Sequence, residues 1–110
     1  MARALITMPK TAKRGEIIEV RTLIAHPMET GYRPGENGAI LPRNLIRRLT
    51  CRYTDGQSDV VVFSADLYPA IAANPFLSFC TVATGTGVLR FNWEGDRGFA
   101  QTESVDLTVT

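Results

Sequence analysis

The sequence predicts an all-β domain, an immunoglobulin-like antiparallel β-sandwich of about seven strands. Apolar and polar residues alternate along residues 16–25, 87–95 and 103–110, which is the period of a strand with one buried face. Helical periodicity is scarce, and glycine-containing turns separate several of the apolar segments. About seven short strands in a chain of roughly 100 residues are typical of an immunoglobulin-like sandwich.

The candidate strands differ in how well each pattern is formed. The short first segment suits an edge strand, and the segment 76–84 is apolar on both faces, so one face could lie under a loop or against another protein. Asp55-Gly56 predicts a hairpin turn, because glycine accepts positive φ. The candidate strands are, in chain order, 3–7, 16–25, 45–54, 59–67, 76–84, 87–95 and 103–110.

Size and charge narrow the function classes. The 110 residues suit one domain, 1–110, with a real hydrophobic core. A net charge of +1 provides no strong field for nucleic acid or an anionic membrane, and no apolar stretch approaches the roughly 20 residues of a membrane helix. The beginning of the chain, "MARALITMPKTAKRG", does not resemble a secretory signal, which taken alone favours the cytoplasm or export by some other means.

The only histidine, His26, lies in a long connection between strands, residues 26–44. A zinc site needs three or four ligands, so one histidine without paired cysteines argues against zinc. A copper site on His26, Met28 and Met8 remains an alternative, because thioethers suit Cu(I). A loop histidine with Met28 packed on a neighbour is the favoured interpretation, and no metal or cofactor is predicted.

Catalysis by a nucleophile is not favoured either. Cys51 and Cys80 both lie in strand patterns, where a thiol usually behaves as a small buried hydrophobe. Free thiols are preferred to a bridge between them, although a bridge stays open. A group of arginines at 43, 47, 48 and 52 could bind an anion or an acidic partner, but a solvated strand face is the preferred interpretation. Phe76 and Phe79 could belong equally to the core or to an interface.

Four stretches of the sequence together resemble the SoxZ family, the small subunit of the SoxYZ carrier of thiosulfate oxidation. They are "HPMETG" (26–31), "LPRNLI" (41–46), "FSADLYPAIAANPFLSF" (63–79) and "LRFNWEGDRG" (89–98). The stretches follow one another in order and at matching intervals, and the resemblance runs from about Pro9 to the C-terminus. The chain departs from the family pattern at Tyr68, where histidine is expected, at Cys80 and at Arg97, which leaves room for a related carrier of another pathway.

The resemblance implies an immunoglobulin-like fold and a non-catalytic role. In that family the partner SoxY carries the sulfur substrate on a cysteine of its glycine-rich tail, and SoxZ forms a heterodimer with SoxY that visits other Sox enzymes transiently. This chain ends "SVDLTVT" without such a tail, so we expect it to be the Z-type subunit. The resemblance also implies a periplasmic location, reached together with a signal-bearing SoxY.

We therefore expect a partner surface and no active site. Apolar burial by a few aromatic anchors should dominate its energetics, and prolines in the loop 26–36 should lower the entropic cost of docking. The isolated chain could form a homodimer through an orphaned interface. A stand-alone immunoglobulin- or fibronectin-like binding module and a copper-handling sandwich remain alternatives. The candidate interface residues are Tyr68, Phe76 and Phe79 as anchors, and His26, Met28, Glu29 and Arg33 in the loop.

Overall fold

The alternating segments of the sequence form β-strands in the computed structural model, which describes residues 3–32, 34–35, 38–40, 42–68, 71 and 73–110. Each strand begins and ends close to a glycine, proline or polar turn, as expected where the chain must reverse. The strands are β1 (Ala4–Thr7), β2 (Thr11–Ala12), β3 (Ile17–Ile24), β4 (Ile46–Thr54), β5 (Asp59–Asp66), β6 (Phe76–Val82), β7 (Gly87–Gly95) and β8 (Ala100–Val109).

The strands lie in two sheets that face each other as a sandwich. One sheet has three strands in the order β1-β3-β6, and the other has five in the order β2-β8-β7-β4-β5. All neighbours are antiparallel except β2 and β8, which are parallel. The predicted all-β sandwich is confirmed. The strand β2 was not predicted, because two residues are too few to show alternation.

The core consists of the inward faces of the two sheets. Alternate residues of β3 are buried and the residues between them are exposed, as the sequence predicts for a half-buried strand. Facing them, Leu89, Phe91 and Trp93 of β7 are at most 1% exposed. Burying one such side chain contributes roughly 1.5–3 kcal/mol, so these strands supply much of the stability of the sandwich.

Strand β6 presents two different faces, which separates the two phenylalanines that the sequence left undecided. Phe79 is half-buried, and its ring stacks on Phe63 of β5 with centroids 4.3 Å apart. Phe76 lies on the opposite face and is 58% exposed. Phe79 thus packs between the edges of the two sheets, whereas Phe76 faces outward.

The predicted hairpin between β4 and β5 has the expected turn chemistry. Gly56 has φ +88°, a conformation that glycine adopts without a steric penalty. The carboxylate of Asp55 accepts hydrogen bonds from the Thr84 hydroxyl and from the backbone N–H groups of Gln57 and Ser58. These bonds, led by that of Thr84, lower the pKa of Asp55 to about 2. The turn is therefore tied to the loop between β6 and β7.

Across the residues that the structure describes, no helix has the length and apolar character needed to cross a membrane.

Candidate partner-binding surface

The conspicuous "HPM" segment folds inward directly after β3. His26 is 5% exposed, and its ring makes an edge-on contact with Phe99, with centroids 5.0 Å apart. Its backbone N–H donates to the side-chain oxygen of Asn74 at 2.9 Å, and the N–H of Asn74 donates back to the His26 carbonyl at 2.7 Å. His26 therefore joins the loop after β3 to the segment before β6.

Met28 fixes the next turn of this loop. It is 4% exposed and has φ +50°, an uncommon conformation for a residue with a side chain. Its N–H donates to Nδ1 of His26 at 3.0 Å, and its sulfur accepts the N–H of Ile46 at 3.3 Å. Beyond it, the backbones of Glu29 and Asn44 exchange two hydrogen bonds of 2.8 Å. These contacts close the base of the loop against β4.

A carboxylate holds the other side of this loop. Asp96, in the 3-10 turn after β7, accepts two bonds of 2.9 Å from the Arg43 guanidinium and one of 3.1 Å from the Leu45 N–H. Arg47 lies 3.5 Å away. Burial alone would raise the pKa of Asp96, but these bonds and charges outweigh it and the pKa is lowered. Burial also lowers the pKa of His26, against the opposing charge of Asp96.

The loop residues are arranged for structure and not as an open metal site. Nδ1 of His26 and the sulfur of Met28 each accept a backbone hydrogen bond. Met8 is half-buried against the core. Within the described residues, no three His, Cys, Asp or Glu side chains gather closely enough to hold a metal ion.

The two cysteines are free and belong to different sheets. Cys51 is wholly buried in β4, and burial raises the pKa of its thiol to about 12. Cys80 is exposed on β6, where it pairs with Glu19 of β3. The only histidine, His26, lies in the loop after β3. It is therefore not a strand-pairing partner of Cys51 or of Cys80.

The predicted interface residues fall into different environments. Phe76 and Tyr68 are 58% and 65% exposed, so both are available to another chain. His26 and Met28 are buried, so they shape the loop and any effect on a partner would be indirect. Glu29 is half-buried, Phe79 is half-buried between the sheets, and Arg33 lies outside the described residues.

Sequence reasoning missed an apolar row across the outer face of the three-stranded sheet. Strand register aligns Leu5 of β1 with Leu23 of β3, and Leu23 with Phe76 of β6. Their exposed fractions are 60%, 38% and 58%. The signal was present in β3, whose outward positions begin with Ile17 and end with Leu23, but the alignment of three distant segments requires the register.

A second apolar pair lies at the opposite end of the same face. Ile17 of β3 is paired with Val82 of β6, and they are 69% and 45% exposed. Between this pair and the apolar row, the side chains of Arg21 and Glu19 form an ion pair of 2.7 Å. The outer face therefore combines two exposed apolar areas with a locally neutralised centre.

The arginines singled out in the sequence each have an acidic neighbour. Arg43 and Arg47 lie against Asp96. On the outer face of the five-stranded sheet, Arg48 pairs with Asp66 at 2.8 Å and Arg52 with Asp59 at 3.5 Å. These partners neutralise much of the positive charge, which fits a solvated strand face better than a site for a large anion.

Together, the fold and its surface define a small β-sandwich protein with apolar side chains exposed on the outer face of its three-stranded sheet. A family model described as "Sulphur oxidation protein SoxZ" matches residues 6–106. The chain belongs to the SoxZ family, which confirms the resemblance read from the sequence. No curated protein sequence matches the chain significantly.

Several solved structures share this fold. Superoxide reductase (neelaredoxin) from Ignicoccus hospitalis aligns with a TM-score of 0.78 at 17% identity, covering 97% of this chain and 80% of that chain. The sulfur carrier protein SoxY from Chlorobium limicola f thiosulfatophilum aligns with a TM-score of 0.65 at 17% identity, covering 96% and 74%. At these identities the likeness shows the fold alone.

Proposed function

We propose that this chain is a non-catalytic subunit of a Sox sulfur-oxidation system, which binds a SoxY-type carrier and presents it to the enzymes of the pathway. The observation that carries the proposal is the solvent-exposed apolar row of Leu5, Leu23 and Phe76 on a sandwich of the SoxZ family. Exposed apolar patches with polar surroundings mark surfaces that bind other proteins.

The energetics of such a face favour a protein partner. Its backbone is held by strand pairing, so little backbone freedom remains to be lost on docking. An aromatic residue surrounded by aliphatic neighbours is the kind of anchor that supplies most of the free energy of binding in protein interfaces. Phe76, flanked across the sheet by Leu23, has this arrangement.

The chemistry of the described side chains supports a non-catalytic role. The pKa of the Cys51 thiol is raised to about 12 by burial, which keeps it protonated and unreactive at neutral pH. Nδ1 of His26 already accepts a hydrogen bond from Met28, so this nitrogen does not serve a substrate. We assign the sulfur chemistry of the proposed complex to the carrier and to the enzymes that it visits, in keeping with the family of the chain.

We also propose that the heterodimer works in the periplasm, which the chain reaches bound to a signal-bearing carrier. The support is the family to which the chain belongs. Coexpression with a SoxY-type carrier that has its signal, and with one whose signal is deleted, tests this. We expect periplasmic recovery of the chain only in the first case, and equal recovery in both would contradict the shared route.

Calorimetric titration of the full chain with a SoxY-type carrier tests the main proposal. Phe76→Asp should weaken binding at least tenfold while circular dichroism shows an unchanged fold. Val61→Asp is the matched control. Val61 is 44% exposed and pairs with Arg52 on the outer face of the five-stranded sheet, away from the apolar row. Absence of binding by the wild type, or turnover of a sulfur compound by the chain alone, would overturn the proposal.

A further inference from the structure

The edge strands of the sandwich are not equally protected against pairing with another chain. Among the described strands, β1 and β6 end one sheet, and β2 and β5 end the other. Natural proteins block sheet edges with short strands, charged residues or bulges, because an open edge offers unpaired backbone groups to any passing strand.

Three of these four edges carry such a block. β1 has four residues and β2 has two, so each offers only a short ladder. β5 is longer, but it has Asp59 and Asp66 at its ends, and a register shift opposite Cys51 and Arg52 indicates a bulge in its pairing with β4. A bulge twists the edge and interrupts a regular ladder.

The fourth edge, β6, has none of these features. Its seven residues, "FLSFCTV", contain neither a charged residue nor proline. Its pairing with β3 runs in continuous register from Ile17↔Val82 to Leu23↔Phe76. An edge of this length and composition invites strand addition. Because the other three edges are blocked, the unblocked edge of β6 indicates that another chain binds there.

Hydrogen bonds at the two ends of β6 show which backbone groups face the open edge. The carbonyl of Pro75 accepts the N–H of Ile24, and the N–H of Ala83 donates to the carbonyl of Glu16. Odd-numbered residues of β6 therefore turn toward β3, since backbone groups alternate in direction along an antiparallel strand. The residues whose N–H and C=O groups face the open edge are Phe76, Ser78, Cys80 and Val82.

We propose that β6 binds an extended strand of the SoxY-type carrier by strand addition, so that the three-stranded sheet continues into the partner. This inference rests on the function proposed above and specifies how the two chains join. A ladder of alternating donors and acceptors fits only an extended backbone. The carrier is the occupant because the function proposed above makes it the partner of this chain. SoxY from Chlorobium limicola shares the sandwich fold, and an open β-sandwich has edge strands that can pair with another chain.

The side chains on β6 define the chemistry of the incoming strand. The residues whose backbone faces the edge also have exposed side chains, and Phe76 and Val82 are 58% and 45% exposed. No charge lies on β6 to pair with an acidic or basic strand. The added strand is therefore uncharged at its contact positions and places apolar side chains beside these two residues.

Amide hydrogen exchange of the full chain, measured by NMR with and without the SoxY-type carrier, tests the ladder directly. We expect the amides of Ser78 and Cys80 to exchange rapidly in the free chain and to become at least tenfold slower in the complex. The amides of Leu77, Phe79 and Thr81 should be protected in both. Binding of the carrier without added protection at Ser78 and Cys80 would overturn strand addition but leave the proposed function intact.

A proline scan on both long edges provides an independent test. Ser78→Pro removes an N–H from the open edge of β6, where the fold does not use it, and should weaken carrier binding at least tenfold. Ser78→Ala keeps the N–H and should bind as the wild type does. Ser64→Pro is the matched control on β5: the Leu67 N–H donates to Arg47, so by alternation Ser64 also faces an open edge.

The outcomes separate the possible occupants. Loss of binding by Ser64→Pro with normal binding by Ser78→Pro would move the contact to β5 and overturn the proposal. Protection of Ser78 and Cys80 in the free chain that grows with protein concentration would make a second copy the occupant, which also overturns it. If Ser78→Pro does not fold, hydrogen exchange of the wild type decides. No binding of the carrier by the wild type overturns both proposals.

Discussion

The N–H of Met28 lies 3.0 Å from Nδ1 of His26, to which it donates a hydrogen bond. A ring nitrogen that accepts a hydrogen bond carries no proton, so the imidazole is neutral with its proton on Nε2. Burial favours the same state and lowers the pKa of His26, although the charge of Asp96 opposes the shift. The conformation of the loop is therefore coupled to the protonation of His26.

This coupling predicts that the chain loses stability in mild acid. The unfolded His26 binds a proton near its ordinary pKa of 6.5, whereas the folded one binds it only at lower pH, so unfolding takes up a proton in between. The contribution of His26 to the free energy of unfolding is complete above pH 6.5 and is lost as the pH falls through the folded pKa. Urea denaturation between pH 8 and 5 measures it.

The control for this prediction is His26→Asn, whose side-chain oxygen can accept the Met28 N–H but does not titrate. This variant should lose the stability change below pH 6.5 that the wild type shows. The same pH dependence in both proteins would contradict the assignment to His26.

The ion pair between Asp96 and Arg43 gives a second prediction. Asp96 is only 12% exposed and accepts bonds from Arg43 and the Leu45 N–H. Asp96→Asn should lower the free energy of unfolding by about 1 kcal/mol, because a hydrogen bond to a charged group is worth more than a neutral one. Thermal denaturation measures the loss.

Asp66→Asn is the comparison for that substitution. Asp66 pairs with Arg48, but both side chains are about half exposed, at 49% and 53%. Exposed ion pairs contribute little, because water and salt screen them, so the stability should not change measurably. Equal losses from the two variants would show that burial does not set the value of the Asp96 contacts.

The long strands could be predicted because alternation is a local property of the chain. Residues 16–25 show the buried face of β3 directly, and Asp55-Gly56 marks a turn by its own chemistry. The prediction needed no knowledge of what lies opposite. Strand β2, by contrast, exists only because Thr11 and Ala12 meet the end of β8.

The candidate site depends on distant pairings, which is why the sequence predicted it only in part. His26 looks like a surface loop residue until Asn74 and Phe99, far along the chain, enclose it. Phe76 was recognised as a candidate from its own strand, but Leu5 and Leu23 join it only through the register of three strands. One strand's pattern cannot specify that register.

A close backbone approach at Gly87 gives a third prediction. A Cβ added there would lie 1.9 Å from the Thr54 carbonyl oxygen and 2.7 Å from Cα of Asp55, so β7 would have to move away from the turn after β4. Gly87→Ala should cost about 2–4 kcal/mol of stability, in the range of severe overpacking. Chemical denaturation provides the measurement.

Gly85→Ala is the control for that overpacking. A Cβ at Gly85 would be 3.4 Å from Cβ of Asp55, which is close to ordinary contact, so the change in stability should stay within about 0.5 kcal/mol. A cost at Gly85 equal to that at Gly87 would show that the close approach does not set the loss, because the chain entropy of glycine favours alanine at both positions.

The two thiols give a fourth prediction, which also reports on the open edge. Cys80 is exposed on β6, whereas Cys51 is wholly buried with a pKa raised to about 12. Since the thiolate is the reactive form, Ellman's reagent should modify one thiol per folded chain at neutral pH and two after unfolding in urea. Cys80→Ser should leave none in the folded chain.

A carrier strand beside β6 should slow the reaction at Cys80, because its backbone groups face the edge that the strand would occupy. Cys51 should react at the rate of global unfolding, both without the carrier and with it. A tightly bound carrier can change the rate of unfolding, but the reaction of Cys51 should still follow that rate. Fast modification of both thiols in the folded chain would contradict the burial of Cys51. Undiminished reaction of Cys80 in a saturated complex would instead place the partner away from this edge, while the measured binding would stand.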